Sequence, residues 1–205
     1  MAKPSQQDIA GRMRSEWLDR LERWTRFCQG LPPTGLHCFS DCAALCCPRV
    51  GMREMGAEEI ASPVVILLPF EMEYLMAKTG LASDAFRLWP VEMAPGTTIE
   101  VGMFDLGKPC PYLRPTLRCG IYADRPVDCQ TFPLLPMLDE GGQLVWSHAE
   151  HCPSLDSFNP EYADPVRRAW ADLGRALPRG WWELYRAADD WLGWPPEAEE
   201  SRDDR

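Results

Sequence analysis

"CPYLRPTLRCGIYADRPVDCQTFP", residues 110–133, sets Cys110, Cys119 and Cys129 within one short run. Pro126 keeps the residue before it out of the helical region and so fixes a turn ahead of Cys129. Lys108, Arg114, Arg118 and Arg125 surround these thiols in a chain that is otherwise acidic. Four thiolates on a divalent ion leave a net charge of about −2. Neighbouring guanidinium groups offset such a charge and favour deprotonated sulfur.

Working outward, "HCFSDCAALCCPRV" (37–50) adds Cys38, Cys42, Cys46 and Cys47, and Cys152 follows in "HAEHCPS". If 38–47 is helical, Cys38, Cys42 and Cys46 lie on one stripe, each a turn above the last. Cys47 then points about 100° away from Cys46. Adjacent side chains diverge in helix and strand alike, so the Cys46–Cys47 pair suggests two metal positions or a polynuclear cluster. Zinc takes four ligands in a tetrahedral site, and iron–sulfur clusters commonly take four thiolates. Spacing alone does not separate the two metals. All three histidines adjoin this pattern: His37 precedes Cys38, and His148 and His151 precede Cys152. His151 is the candidate for an additional ligand. Cys28 falls in the apolar stripe of a helix and reads as core packing.

The whole chain narrows these readings. Its 205 residues suffice for one substantial core. Twenty prolines predict many loops and short elements. A net charge of −10, with a pI near 4.8, argues against nonspecific binding to nucleic acid or anionic membrane. The longest apolar run, "PVVILLPF" at 63–70, falls far short of the roughly 18 residues of a spanning helix. "MAKPSQQDIAGRMRSEW" has no signal-peptide core, so a cytoplasmic location is expected. In reducing cytosol nine cysteines point to metal or redox chemistry rather than a disulfide framework, which their odd number also disfavours.

Periodicity predicts an amphipathic helix over 6–29, with Ile9, Met13, Trp17, Leu21, Trp24 and Cys28 on one stripe. "SPVVILL" (62–68) reads as a buried strand or extended segment, and Pro69 as the first turn of a helix ended by Gly80. "TTIEVGMFDL", "LRCGIYA" and "QLVWSH" read as strands, the last following the turn signal "DEGG". Asn159–Pro160 or Asp164–Pro165 opens a helix carrying Val166, Trp170, Leu173 and Leu177. A last helix over 181–192 places Trp181, Leu184, Tyr185, Ala188 and Trp191 on one side. The fold class is therefore α+β: a single loop-rich domain with a cysteine-ligated metal centre, flanked by N-terminal and C-terminal helices. The expected divisions are a helix (1–30), a cysteine-cluster metal-binding domain (31–158), helices packing on it (159–195) and a disordered acidic tail (196–205).

The central motif resembles the YkgJ-like cysteine-cluster family of bacterial zinc- or iron-chelating domains. The pattern falls on Cys110, Tyr112, Leu113, Cys119, Ile121, Tyr122, Arg125, Pro126, Cys129, Phe132 and Pro133, and upstream on Cys38, Cys42, Cys46 and Cys47. The likeness spans about 37–155. Two features depart from it: the first group is spaced C-x3-C-x3-CC where the family has C-x2-C-x2-CC, and Gln130 stands where arginine is common. The resemblance implies metal chelation by Cys38, Cys42, Cys46, Cys47, Cys110, Cys119, Cys129 and Cys152. Tyr122 and Arg125 are expected to support the ligands, with Arg125 donating to backbone carbonyls or a ligand sulfur while Tyr122 and Phe132 pack beside the loop.

Three functions follow as expectations. The first is a cytoplasmic metal-binding protein holding iron, either as an ion or as an iron–sulfur cluster, with zinc as the close rival. The second is a metal-dependent redox or group-transfer enzyme similar to flagellin lysine N-methylases, drawing on Trp146, His148 and His151; no glycine-rich S-adenosylmethionine loop supports it. The third is a metal-stapled interaction module, docking a protein partner through Trp170, Trp181, Trp182, Trp191 and Trp194.

Overall fold

The computed structural model describes residues 5–36, 65–104, 110–148, 152 and 154–189. The first cysteine group, His37, Lys108, His151, Trp191, Trp194 and the acidic tail lie outside the described residues.

Helix α1 spans Gln6–Gln29, as its periodicity predicts. A capping box opens it: the Ser5 hydroxyl accepts from Asp8 N–H at 3.2 Å, and the Asp8 carboxylate accepts from Ser5 N–H at 3.1 Å. Its stripe buries Trp17, Leu21 and Trp24. The described part of the next apolar segment, 65–68, is extended and buries Ile66, Leu67 and Leu68.

Helix α2, Glu71–Thr79, begins one step later than proline placement suggests. Pro69 precedes the N-cap Phe70, whose φ of 62° turns the chain over. The reason is the Glu71 side chain, which reaches back to accept from Leu68 N–H at 2.7 Å and replaces a proline-led first turn. Gly80 ends α2 with φ of 72°, where glycine alone avoids a steric penalty, and its N–H bonds Met76 O at 2.9 Å.

Strands β1 (Phe86–Ala94) and β2 (Thr97–Phe104) form an antiparallel hairpin paired from Phe86↔Phe104 to Ala94↔Thr97, with a register shift between Glu92 and Ala94. Segment 65–68 lies along the other side of β2, through the Ile66↔Met103 bridge and Leu67 N–H to Gly102 O at 2.9 Å. Sequence reading missed β1 because Pro90 interrupts it; among the described residues β1 pairs with β2 alone, and an edge strand tolerates the lost donor. "LRCGIYA" is not a strand. It contributes one bridge, Leu113↔Cys119, and then a 3₁₀ turn at Tyr122–Asp124, because Leu117 at φ of 58° turns the chain too tightly for a ladder.

A short helix α3, Val127–Thr131, carries Cys129. Strands β3 (Leu134–Leu138) and β4 (Leu144–His148) pair antiparallel across the predicted turn. Asn159 opens α4, Pro160–Ala176, accepting from Glu161 N–H at 2.9 Å, and Pro165 lies inside the helix rather than at its start. Helix α5 spans Arg179–Asp189. These elements form the expected α+β fold.

The terminal helices supply much of the core. Trp170, Trp181 and Trp182 are buried and pack edge-on or tilted against one another, with Tyr185 stacked on Trp181 at 4.8 Å. Trp181 Nε1 also donates to Leu67 O at 2.9 Å, which ties α5 to the extended segment. These three tryptophans therefore serve packing rather than an outer docking face.

Glu71 is the buried carboxyl group among the described residues, 2% exposed. Its second carboxylate oxygen accepts from Val127 N–H at 2.6 Å, so one side chain joins the 68–71 turn to the start of α3. Burial pushes this carboxyl up to about 8; the two backbone donors pull it down, and nearby Asp128 raises it further. A group raised in the folded state stabilises most below its unfolded value and loses that contribution as pH rises. Wild-type stability accordingly contains a component that declines between about 4.5 and about 8. Glu71→Gln strands one backbone N–H and is expected to cost about 1–3 kcal/mol. Urea unfolding across that pH range checks both: the variant is less stable and lacks the declining component. Trp181→Ala is expected to lower the unfolding free energy by about 3–5 kcal/mol, read from the same urea midpoints.

Candidate metal centre

The hairpin-like loop 110–120 brings two thiols together. Leu113 N–H bonds Cys110 O at 3.0 Å, Arg114 N–H bonds Arg118 O at 2.9 Å, and Gly120 N–H bonds Tyr112 O at 2.7 Å. These bonds fold the chain back so that Cys119 pairs with Leu113, three residues from Cys110. Gly120 permits the close approach, since a Cβ there would stand 3.0 Å from Tyr112 O and 3.2 Å from Arg114 Nε. Cys110 and Cys119 are both half-buried, and each packs against the core edge.

Their electrostatics suit a thiophilic ion. Burial pushes the Cys119 thiol above the ordinary cysteine range. The Ile121 N–H, Arg125 and Arg114 pull it back, while Cys110 pushes it up, so the two sulfurs feel one another's charge. Arg114 is held in place by donating to Gly120 O at 3.3 Å. Buried thiols held off ionisation, and guanidinium groups beside them, fit a cation that replaces the protons.

Arg125 is positioned by stacking. Its guanidinium lies 3.9 Å from the centre of the Tyr122 ring, and its buried Nε has no hydrogen-bond partner among the described residues. Tyr122 is 53% exposed, with its hydroxyl 3.4 Å from Thr34 Oγ1. The expected donation from Arg125 to a carbonyl is absent among the described residues. Its charge instead reaches Cys119 and Cys28.

Cys129 sits at the third position of α3, half-buried. Glu71 fixes the first turn of that helix, and Gln130 fixes its far side. Gln130 is 2% exposed; it accepts from Trp24 Nε1 at 2.8 Å, donates to Arg125 O, and its backbone O accepts from Tyr162 at 3.1 Å. The residue that departs from the common arginine is thus where α1, α4 and the Arg125 turn meet. Cys152 is half-buried, and its carbonyl accepts from Leu155 N–H at 3.1 Å. His148 ends β4, exposed, with Nε2 3.3 Å from Arg167 on α4.

Cys28 behaves differently from the loop thiols. Burial pushes it up to about 11, despite the Tyr162 hydroxyl and Arg125. Such a thiol stays protonated at neutral pH, in keeping with a packing role. Among the described residues no three cysteine, histidine, aspartate or glutamate side chains converge on one point. Cys38, Cys42, Cys46, Cys47 and His151 lie outside them. Glu71 and the gripping role of Gln130 were not anticipated; a glutamine beside Cys129 in "VDCQTFP" and an acidic residue opening a helix were the available signals.

Searches of curated proteins and of solved structures return no match. The domain model CxxCxxCC, described as "putative zinc- or iron-chelating domain", matches residues 37–153, more than half of the chain. Cys110 and Cys119, with the arginines that offset them, fall inside that span, and the chain belongs to the CxxCxxCC family.

Proposed function

We propose that this chain is a cytoplasmic metal-binding protein in which thiols from separate segments share one or two metal positions. The ligands are Cys38, Cys42, Cys46, Cys47, Cys110, Cys119, Cys129 and Cys152, with His151 as a further ligand. The observation that carries the proposal is one braced loop that pairs Cys119 with Leu113 and sets it within electrostatic reach of Cys110, Arg114 and Arg125. The metal is iron, held as an iron–sulfur cluster, with zinc the rival; the adjacent Cys46 and Cys47 favour a polynuclear centre. The bound ion would supply the charge that lets these sulfurs lose their protons. The chain's own residues do the rest: the 110–120 turn sets the spacing, the arginines lower the charge, and Glu71 and Gln130 hold α3.

In this reading residues 31–158 are the metal-binding unit, and the helices at 1–30 and 159–195 brace it. Trp24 on α1 and Tyr162 on α4 both grip Gln130, which supports that division.

Anaerobically purified protein from iron-replete cells is expected to be coloured, with sulfur-to-iron charge-transfer absorption and stoichiometric iron. A colourless protein holding stoichiometric zinc would replace iron by zinc. Cys110→Ser and Cys119→Ser are each expected to lower metal per chain, whereas Cys28→Ser leaves it unchanged. Equal metal content in all three variants would remove the loop thiols from the site.

A further inference from the structure

A groove of about 570 Å³ runs between α1 and α4, on helices outside the family domain. Its floor is apolar, formed by Trp24, Phe27 and Leu173. Its rim is basic, formed by Arg20, Arg23 and Arg175. Arg175 is paired with Asp172, which also lines the groove, and Arg20 lies 5.8 Å over the Trp17 ring. Arg23 is exposed and has no ion-pair partner among the described residues. The rim keeps a positive excess in a protein whose net charge is −10.

We propose that this groove docks an acidic segment of a partner protein that carries a bulky apolar side chain. The apolar floor takes the anchor, and the arginine rim takes carboxylates on either side of it. The groove is open along the two helices, a shape that suits a peptide rather than an enclosed small molecule. Charge also sorts the partner: basic segments gain nothing from the rim, while the remaining acidic surface repels unanchored acidic chains. Docking lies close to the cysteine-bearing unit. The indole of Trp24 forms part of the floor and also donates to Gln130, which follows Cys129. The docking partner is thus seated one side chain from the α3 segment.

The test is selection of peptides from a random display library against the full-length, metal-loaded chain. Selected sequences are expected to combine an aromatic or large aliphatic residue with flanking Asp and Glu. Their affinity is expected to fall at least about tenfold, a change of about 1.4 kcal/mol, in Arg20→Glu/Arg23→Glu, and less in Arg20→Gln/Arg23→Gln. The milder pair guards against helix disruption; unchanged circular dichroism and metal content in it show an intact protein. Selected peptides without acidic bias, or acidic peptides that bind both variants as well as wild type, would overturn the proposal. So would a concentration-dependent dimer that the same variants dissolve, since the occupant would then be a second copy. Competition by the chain's own residues 190–205 that disappears when they are removed would likewise assign the groove to the tail rather than a partner.

Discussion

Two buried polar side chains, Glu71 and Gln130, hold the short helix that carries Cys129. A backbone N–H buried without an acceptor is costly, so Glu71, accepting from Leu68 and Val127, leaves the 68–71 turn and α3 little freedom to separate. Gln130 does the same for α1, α4 and the Arg125 turn. The strength of these bonds comes from their seclusion, because a dry interior magnifies both a made and a missing hydrogen bond. A five-residue helix has little stability of its own, and α3 is held by what touches its two ends.

Burial acts in the same direction on two thiols, and their neighbours make the difference. Cys28 and Cys119 are both shielded from water, and both are pushed up. Cys119 has a backbone donor, two arginines and a second sulfur beside it; Cys28 has a tyrosine hydroxyl and one arginine. Burial keeps both thiols protonated, but the positive groups around Cys119 pull against that burial more than those around Cys28 do. An acidic chain places its positive charge sparingly, and the loop at 110–125 receives part of it.

Much of this was legible in the sequence. The helix at 6–29 follows from its stripe, the helix opened by Asn159 from its cap and Pro160, and the β4 strand from the turn before it. The cysteine pattern and "IYADRP" carried the family before any coordinates. Strands β1 and β3 were hidden by Pro90 and Pro136, since proline usually marks a break and only pairing context reveals an edge strand. The Cys119 segment reads as a short strand in sequence, yet Leu117 at positive φ bends it. Gln130 and Glu71 were opaque for a different reason: their roles depend on partners dozens of residues away, which no local spacing encodes. For most tryptophans of the terminal helices core packing is the stronger expectation over docking, and Trp170, Trp181 and Trp182 do fill the core.

The central claim is that sulfur from separate segments binds one inorganic centre. X-ray absorption at the metal edge, on protein loaded without air, tests it most directly. The account predicts a first shell dominated by sulfur at about 2.3 Å, diminished in a chain lacking Cys110 and Cys119. A shell of oxygen and nitrogen alone, or one that those two substitutions leave untouched, would contradict it.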